Sequence, residues 1–389
     1  MIHRPKRVLL LDTNFSAEPL LCWLLRAGYQ VYLVGNRPND ALAKETPGYI
    51  QADYSNLDEL EATIDRVKPD YLVPGCNDQS YSMAARANHD GRFPGLDSSE
   101  QTIRINNKAR YRQLGQDLGL PMPSVYENHT PPIGRPLLIK PVDAFSGKGI
   151  VALLSPSPAQ LGDAIANAKA ASPSGQILIE DHCPGQLYSH SAFLHRGRIL
   201  HEFIVVEHAS ANPWVVDTSA LVTDCSDLLR QCLRSLIETL AGACDIQEGL
   251  LHTQFLSDGK NLWLIESTRR CPGDLYSELI RLSTGFDYAG AYLQPFLGQA
   301  PSTAEPVSKQ RWIMRHTLSL PQEAVLAGLC FTEPLSIERW IPLALTGQRI
   351  HPSPNSRIAI LFARCQDAQT LSALIQTTVN RTLYHLEGE

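Results

Sequence analysis

Short apolar runs alternate with amphipathic segments through the first hundred residues. Three runs have the length and composition of strands, at residues 7–11, 30–34 and 71–74. Apolar side chains recur at helical spacing in three other segments, at residues 16–27, 57–67 and 80–87. This alternation of strands with helices predicts an open parallel sheet with helices on its faces.

The pattern changes after residue 100. A helix-like segment at 103–119 ends where a glycine and two prolines follow. Apolar runs that lead into polar residues then predict strands, at residues 137–140, 177–180 and 188–194. Two more runs, 250–256 and 262–265, flank a polar turn and predict a hairpin. A linker-like stretch precedes two last strands and a helix, at residues 311–318, 357–362 and 367–383.

Composition and charge narrow the class of protein. The chain has 389 residues, enough for two or three domains of about 100–200 residues each. Its formal net charge is -6 and it has no long Lys/Arg run, so a nucleic-acid partner is not expected. No apolar stretch approaches the roughly 20 residues that span a bilayer. The short run after the basic start predicts a strand rather than a signal peptide, so we expect a cytoplasmic protein with no membrane partner.

The N-terminal sheet offers a candidate ligand position. Its first strand is followed by Asp12-Thr13-Asn14 rather than by a GxGxxG turn, which argues against the usual dinucleotide-binding loop. Ligands of open α/β sheets lie beyond the carboxyl ends of the strands, and Asn77 and Asp78 follow the strand at 71–74. These two residues are candidate contacts for a small polar substrate, and capping of the next helix is the alternative interpretation.

A lysine and a glycine-rich turn in the middle of the chain indicate a phosphate site. Lys140 ends an apolar strand, and a turn follows that contains Ser146, Gly147, Lys148 and Gly149. Glycines let backbone N–H groups approach phosphate oxygens closely, and the lysine adds charge. The spacing is not that of a Walker loop. A hairpin tip would explain the turn by itself, whereas the upstream lysine favours a phosphate-binding flap.

The predicted hairpin brings amide, acid and arginine side chains together. Gln254 and Glu266 are expected to be near neighbours across the strand pair. Thr268, Arg269 and Arg270 follow directly. Mg²⁺ takes hard oxygen ligands and needs few protein groups beside phosphate and water, and arginine suits phosphate or carboxylate recognition. An ion pair between Glu266 and an arginine is the alternative interpretation.

The order of these segments resembles the ATP-grasp superfamily, in particular its carbamoyl-phosphate-synthetase-like and amino-acid-ligase branches. The shared features are a lysine before a helix, a strand ending in Lys-Pro, a glycine-rich flap, a strand leading to an acidic hinge, and a hairpin ending in Glu and Arg-Arg. The resemblance covers nearly the whole chain and implies an α/β and α+β architecture. Its three parts are an open parallel-sheet domain at residues 1–102, a two-lobed ATP-grasp core at 103–300 and a small C-terminal α+β domain at 307–389.

The resemblance assigns roles to individual residues. The implied ATP contacts are two core lysines, the flap and an adenine hinge: Lys108, Lys140, Ser146, Gly147, Lys148, Gly149, Glu180, Asp181, His182 and Cys183. The implied ligands of Mg²⁺, which Mn²⁺ could replace, are Gln254, Glu266 and Thr268. The implied catalytic residues are Arg270, Lys148 and Lys140. The candidate substrate contacts are Asn77, Asp78, Arg270, Gly273 and Asp274.

Some positions leave alternatives open. Family members often have Asn where this chain has Thr268, and a ribose-binding Glu where it has Leu187, so a nucleotide-binding but inactive protein is one alternative. Cys271 could be a nucleophile, but no His is close in sequence and structural packing is favoured. Arg311 and Arg315 alternate on one predicted strand and could bind a carboxylate, although a solvated surface position is favoured.

The resemblance implies an ATP-dependent carboxylate–amine ligase that acts through an acyl phosphate, with amino acids among its candidate substrates. Phosphorylation turns a carboxylate, a poor electrophile, into an acyl phosphate with a good leaving group, and catalysis then rests on positioning and charge stabilisation. The alternatives are a bicarbonate-activating carboxylase of the biotin-carboxylase or purine-pathway type and a non-catalytic ATP sensor. Expected partners are a small carboxylate and an amine. Relatives often dimerise through the C-terminal domain, so a homodimer is one expected assembly.

Overall fold

The computed structural model describes residues 4–126, 131, 134–144, 147–302 and 310–387. A parallel sheet, a small antiparallel sheet and a large antiparallel sheet follow one another along the chain. The expected combination of α/β and α+β architecture is confirmed. Within the described residues, no helix combines the length and the apolar character that crossing a bilayer requires.

The N-terminal unit alternates strands and helices. In chain order they are β1 (Arg7–Leu11), α1 (Glu18–Arg26), β2 (Gln30–Gly35), α2 (Ala41–Glu45), β3 (Tyr49–Gln51), α3 (Leu57–Val67), β4 (Tyr71–Pro74) and α4 (Asp78–Ala87). The strands pair in parallel in the order β3-β2-β1-β4, as the alternation predicted. The central β1 is almost entirely buried because such a sheet has both faces covered.

Two helices replace the single helix predicted at 103–119. They are α5 (Ser99–Asn106) and α6 (Lys108–Asp117), and they are separated at Asn107. The Asn107 backbone is extended, and its side chain accepts hydrogen bonds from the N–H groups of Ala109 and Arg110. An asparagine that caps a new helix competes with continuation of the old one. Lys108 is therefore the first residue of α6.

A small lobe follows, built from β5 (Leu137–Pro141), β6 (Val151–Leu153), α7 (Pro158–Ala171) and β7 (Ile177–Asp181). Its three strands form an antiparallel sheet in the order β6-β5-β7. Ala164 and Ala168 of α7 pack against Leu137 and Ile139 of β5. The central strand of this lobe thus carries Lys140 near its end.

The large sheet contains the remaining part of the core. Its elements are β8 (Gln186–His195), β9 (Arg198–His208), β10 (Thr218–Leu221), α8 (Asp227–Ala243), β11 (Gly249–Ser257), β12 (Leu262–Thr268), α9 (Tyr276–Thr284) and α10 (Tyr288–Leu293). The predicted hairpin is confirmed, since β11 pairs antiparallel with β12. α8 buries Leu233, Ile237 and Leu240, while α9 and α10 share a second hydrophobic cluster with the N-terminal unit.

The C-terminal region extends this sheet. Its elements are β13 (Trp312–Leu318), β14 (Ala324–Val325), β15 (Leu329–Phe331), β16 (Ile337–Pro342), β17 (Arg349–Ile350), β18 (Ala359–Cys365), α11 (Ala368–Val379) and β19 (Tyr384–Leu386). β13 pairs with β10, which gives the strand order β12-β11-β8-β9-β10-β13-β18-β16. α11 ends before the predicted limit at residue 383, because Arg381 adopts a left-handed φ of 59°.

Candidate active site

Polar side chains share one face of the large sheet. Gln254 on β11 lies directly opposite Glu266 on β12. Ser219 on β10 lies opposite both Glu207 on β9 and Arg315 on β13. Directly opposed residues project from the same face of a sheet. Since polar groups are rarely buried without a reason, this polar stripe makes this side of the sheet the candidate ligand-binding face.

Gln254 and Glu266 offer oxygen atoms suited to a divalent cation. Gln254 Nε2 donates to Glu207 Oε2 at 2.6 Å, which leaves Oε1 as the amide atom that can bind a cation. Glu266 is exposed and has no hydrogen bond or ion pair with a described residue. Two hard oxygen donors fit Mg²⁺, which fills its remaining positions with phosphate and water. The described residues contain no cluster of three or more His, Cys, Asp or Glu side chains that could hold a metal.

Thr268, the third predicted metal ligand, has a different partner. Its hydroxyl donates to Asp78 Oδ1 at 3.0 Å, and its oxygen lies 3.4 Å from the backbone nitrogen of Arg270. The hydroxyl proton therefore points at a carboxylate of the N-terminal unit. A metal contact by Thr268 would have to use the remaining lone pair.

Asp78, the first residue of α4, and Arg270, which follows β12, join the N-terminal unit to the large sheet. Arg270 Nε donates to Asp78 Oδ1 at 3.0 Å, and Nη2 lies 3.4 Å from Oδ2. Burial would raise the pKa of Asp78, but Arg270, Thr268 and Lys108 together hold that pKa below its ordinary value. The side chains of Asp78 and Arg270 are 28% and 19% exposed. The pair is thus only partly buried, so Arg270 can meet an anion that approaches from solvent.

Arg269 is a structural residue. Its Nε donates to Asp97 Oδ2 at 2.8 Å and its Nη2 lies 3.2 Å from Oδ1, while the carbonyls of Leu250 and Glu248 accept from the same guanidinium. Its side chain is only 4% exposed. Of the two adjacent arginines, Arg270 is therefore the one available to a ligand.

Asn77 acts as the cap of α4, which was the alternative interpretation of this residue. Its Oδ1 accepts from the Ser80 N–H at 2.8 Å. Its Nδ2 donates to Asp12 Oδ2 and to the Tyr54 hydroxyl, each at 3.1 Å. Because both ends of the amide already have protein partners, a substrate would have to displace one of them.

Gly273 and Asp274 lie where three regions meet. A Cβ on Gly273 would lie 3.8 Å from the carbonyl oxygen of Cys76, an ordinary contact. The Asp274 carboxylate lies 3.3 Å from Arg357 and 3.9 Å from Arg315. The expected surface position of Arg315 is wrong: the residue is 3% exposed because β13 is an interior strand, and its Nε has no hydrogen-bond partner among the described residues. Arg315 is therefore a further candidate for binding a carboxylate.

Two cations share one buried carboxylate below the small lobe. Glu180 accepts from Lys140 Nζ and, at 2.9 Å, from Arg112 Nε. Burial would raise the pKa of Glu180, but Lys140 and Arg112 hold it below its ordinary value. Glu180 thus balances the charge of Lys140. Because its carboxylate is occupied, only the backbone of Glu180 could contact adenine. Arg112 was missed in the sequence, although it lies one helical turn after Lys108.

The predicted adenine hinge uses part of its backbone for its own structure. The N–H groups of Asp181 and His182 donate to the carbonyls of Ser124 and Pro136, each at 3.0 Å. Cys183 is buried, and burial raises the pKa of its thiol to about 12. Adenine recognition by the hinge would therefore depend on its carbonyl groups and on the N–H of Cys183.

The flap lies against the loop between β9 and β10. Gly147 and Gly149 have φ angles of 73° and 75°, which an L side chain rarely adopts. A Cβ on Gly147 would lie 2.4 Å from the Cβ of Trp214, so only glycine permits this approach. Lys148 between them is exposed, and Ser146 lies outside the described residues. The turn therefore has the close packing expected of a cover over the cleft.

Comparisons with known proteins give the fold. No family model matches the chain. Among solved structures, an L-amino acid ligase from Bacillus licheniformis has a TM-score of 0.81 at 17% identity and covers 100% of both chains. A phosphoribosylglycinamide synthetase from Anaerococcus prevotii has a TM-score of 0.76 at 14% identity, covering 98% of this chain and 99% of that one. A biotin carboxylase from Campylobacter jejuni has a TM-score of 0.74 at 16% identity, over 98% and 92%.

All three belong to the ATP-grasp superfamily. The chain has the ATP-grasp fold. A curated relative, the formate-dependent phosphoribosylglycinamide formyltransferase of Pseudomonas aeruginosa, is 24% identical over 185 residues, 45% of this chain. The match spans 46% of that relative, so the chain covers about half the length of the curated relatives it matches.

The cationic side chains of the candidate site come from three different parts of this fold. Lys140 comes from the small lobe, Arg270 from the large sheet and Lys108 from the helix before both. Lys108 Nζ donates to the Ala144 carbonyl at 3.1 Å, at the base of the flap. Burial lowers the pKa of Lys140, and the charge of Lys108 acts in the same direction. Lys108 also lowers the pKa of Asp78, so its charge acts on the N-terminal unit as well as at the flap.

Proposed function

We propose that the chain is an ATP-dependent carboxylate–amine ligase that forms an acyl phosphate. The observation that carries the proposal is the polar sheet face on which Gln254 and Glu266 lie opposite each other, beside the Asp78–Arg270 pair. Hard oxygen donors next to a partly exposed guanidinium suit a polyphosphate and the carboxylate that accepts its terminal phosphoryl group.

Each residue has a distinct part in this mechanism. The transition state of phosphoryl transfer spreads negative charge over several oxygens, so the protein mainly positions the reactants and stabilises charge. Arg270 stabilises the transferred group, while Lys140 and Lys148 hold the phosphates from the small lobe. Mg²⁺ held by Gln254 and Glu266 would neutralise phosphate charge when bound.

The acyl phosphate must be kept from water until the amine attacks. The close approach of Gly147 to Trp214 supports this part of the proposal, since a flap that packs against the loop between β9 and β10 can exclude solvent. Arg270 or backbone N–H groups then stabilise the oxyanion that forms when the amine adds to the carbonyl carbon.

The proposed substrate class comes from the relatives. The fold is shared with a protein named as an L-amino acid ligase, and part of the sequence with one named as a formate-dependent formyltransferase. Formate and amino acids are small carboxylates. We therefore assign small carboxylates, amino acids among them, as the class that the chain activates.

Trapping of the acyl phosphate tests the proposal. The purified chain is incubated with ATP, Mg²⁺, hydroxylamine and pooled small carboxylates, because hydroxylamine converts an acyl phosphate into a stable hydroxamate without the natural amine. We expect ADP, phosphate and hydroxamate to appear together, in only the pool that contains the substrate. Arg270→Gln should abolish all three products, whereas Arg364→Gln, an exposed arginine on β18, should not change them. AMP and pyrophosphate as products would overturn the proposal.

Bicarbonate activation is the second candidate, because the fold is shared with a biotin carboxylase over 98% of the chain. Bicarbonate-dependent release of ADP and phosphate, without hydroxamate from any organic carboxylate, would favour this candidate. ATP binding without turnover in any pool would favour the sensor instead.

A further inference from the structure

Gln254 poses a chemical problem that a carboxylate in its place would not. A glutamine amide has an oxygen, which can bind a cation, and an NH₂ group, which cannot. The two ends of the amide are nearly the same in shape, so packing does not choose between them. A group that accepts a hydrogen bond from the NH₂ must fix the orientation.

Glu207 is positioned to accept that hydrogen bond. β8 separates β9 from β11, and Ser189 of β8 is paired with Gln254 on one side and with Val205 on the other. Glu207, two residues after Val205, therefore projects from the same face. Two strand spacings amount to roughly 10 Å, a gap that two long side chains can close above a small serine. Gln254 Nε2 reaches Glu207 Oε2 at 2.6 Å.

The hydrogen bond has a direction that suits a metal site. In the strand order β12-β11-β8-β9, Glu266 and Glu207 lie on opposite sides of Gln254. The NH₂ group is held on the side of Glu207, which leaves the amide oxygen without a hydrogen-bond partner among the described residues. Glu207 is only 5% exposed, so its carboxylate cannot turn to solvent and stays with its partners on the sheet.

We infer that Glu207 is a positioning residue that holds the Gln254 amide so that Oε1 is presented to a divalent cation beside Glu266. The inference rests on the proposed function, because it takes Gln254 and Glu266 as ligands of the metal ion of a bound nucleotide.

Binding of Mn²⁺ in the presence of ADP tests the inference without turnover, since electron paramagnetic resonance reports free Mn²⁺ directly. Glu207→Gln is expected to weaken Mn²⁺ binding by about tenfold, because a glutamine amide can present either its oxygen or its NH₂ group to Gln254 and so no longer fixes the orientation of that metal ligand. Glu202→Gln is the matched control, because Glu202 lies on the same strand at an odd spacing and so projects from the opposite face. It should leave Mn²⁺ binding unchanged.

The exchange variant Glu207→Gln with Gln254→Glu restores a hydrogen bond between one carboxyl group and one amide, with the two partners swapped. It is expected to recover most of the lost Mn²⁺ affinity. If the exchange variant binds Mn²⁺ no better than Glu207→Gln alone, the inference is wrong. The inference is also wrong if Glu207→Gln lowers the melting temperature as Glu202→Gln does and keeps the Mn²⁺ affinity of the unaltered protein. If the unaltered protein with ADP does not bind Mn²⁺, the proposed function itself is contradicted.

Discussion

Substitution of Glu180 by Gln tests the buried charge cluster below the small lobe. The side chains of Lys140, Arg112 and Glu180 are 6%, 3% and 1% exposed. Removing the carboxylate charge leaves two buried cations without their shared partner, and breaking a buried pair in this way costs about 3–5 kcal/mol. With an unfolding entropy of about 2.1 cal/mol/K per residue, a chain of 389 residues shifts by about 1.2 °C per kcal/mol, so Glu180→Gln should lower the melting temperature by roughly 4–6 °C.

Lys140→Met should affect nucleotide binding more than stability. Glu180 keeps its 2.9 Å hydrogen bond from Arg112, and methionine fills a similar volume, so we expect a much smaller change in melting temperature. The affinity for ADP should fall, because the phosphates lose a cation. Both measurements are made on both variants. Thermal unfolding reports the role of Glu180 as the counter-charge, and calorimetric titration with ADP reports the contact of Lys140 with the nucleotide.

Two results would refute this reasoning. A larger loss of stability in Lys140→Met than in Glu180→Gln would mean that the lysine, and not the carboxylate, holds the cluster together. Unchanged ADP affinity in Lys140→Met would mean that Lys140 serves the fold alone and does not contact the nucleotide.

Three further predictions follow from contacts elsewhere in the chain. Gly147→Ala should weaken ADP binding in a titration, because the φ of Gly147 is 73° and the added Cβ would lie 2.4 Å from a tryptophan side chain. Gly119→Ala is the control: its φ is 64°, but the space around it is open, so ADP binding should not change. Arg269→Gln should lower the melting temperature far more than Arg270→Gln, because Arg269 is the more deeply buried of the two. Arg270→Gln should abolish turnover while the protein stays folded. Equal melting temperatures would contradict the assignment of Arg269 to the fold and Arg270 to the ligand. Burial would raise the pKa of Glu202, but neighbouring histidine and arginine side chains lower it from 4.5 to about 2. The contribution of ionised Glu202 to the free energy of unfolding is therefore present above pH 4.5 and is lost as the pH falls towards 2. The difference in urea midpoint between the unaltered protein and Glu202→Gln should therefore narrow over that pH range, and a constant difference would contradict the shift.

Local signals account for the parts of the fold that the sequence predicted. The hairpin of β11 and β12 follows from two apolar runs around a polar turn, and its register brings Gln254 opposite Glu266 without any distant contact. The cap at Asn107 is also a local signal, but the helix-forming residues on both sides of it outweighed it in the interpretation of residues 103–119.

Distant pairings could not be predicted from the same information. Asp78 and Arg270 are 192 residues apart, and Gln254 and Glu207 are joined across an intervening strand. Lys140 and Glu180 were both expected at the nucleotide, but their mutual ion pair depends on β5 lying beside β7 after a long excursion through α7. Sequence spacing carries no record of such contacts, because they are set by the order of strands in the sheets.

Because the large sheet continues through β13, the protein cannot be shortened or exchanged at an arbitrary point. β13 covers one edge of β10, and β18 covers the other edge of β13, with Ile360, Leu361 and Phe362 fully enclosed. A fragment that stopped at residue 300 would expose β10 as an unprotected edge and invite edge-to-edge aggregation. The C-terminal region is therefore not an exchangeable module, and chimaeras with proteins that share this fold should keep residues 186–365 from a single parent.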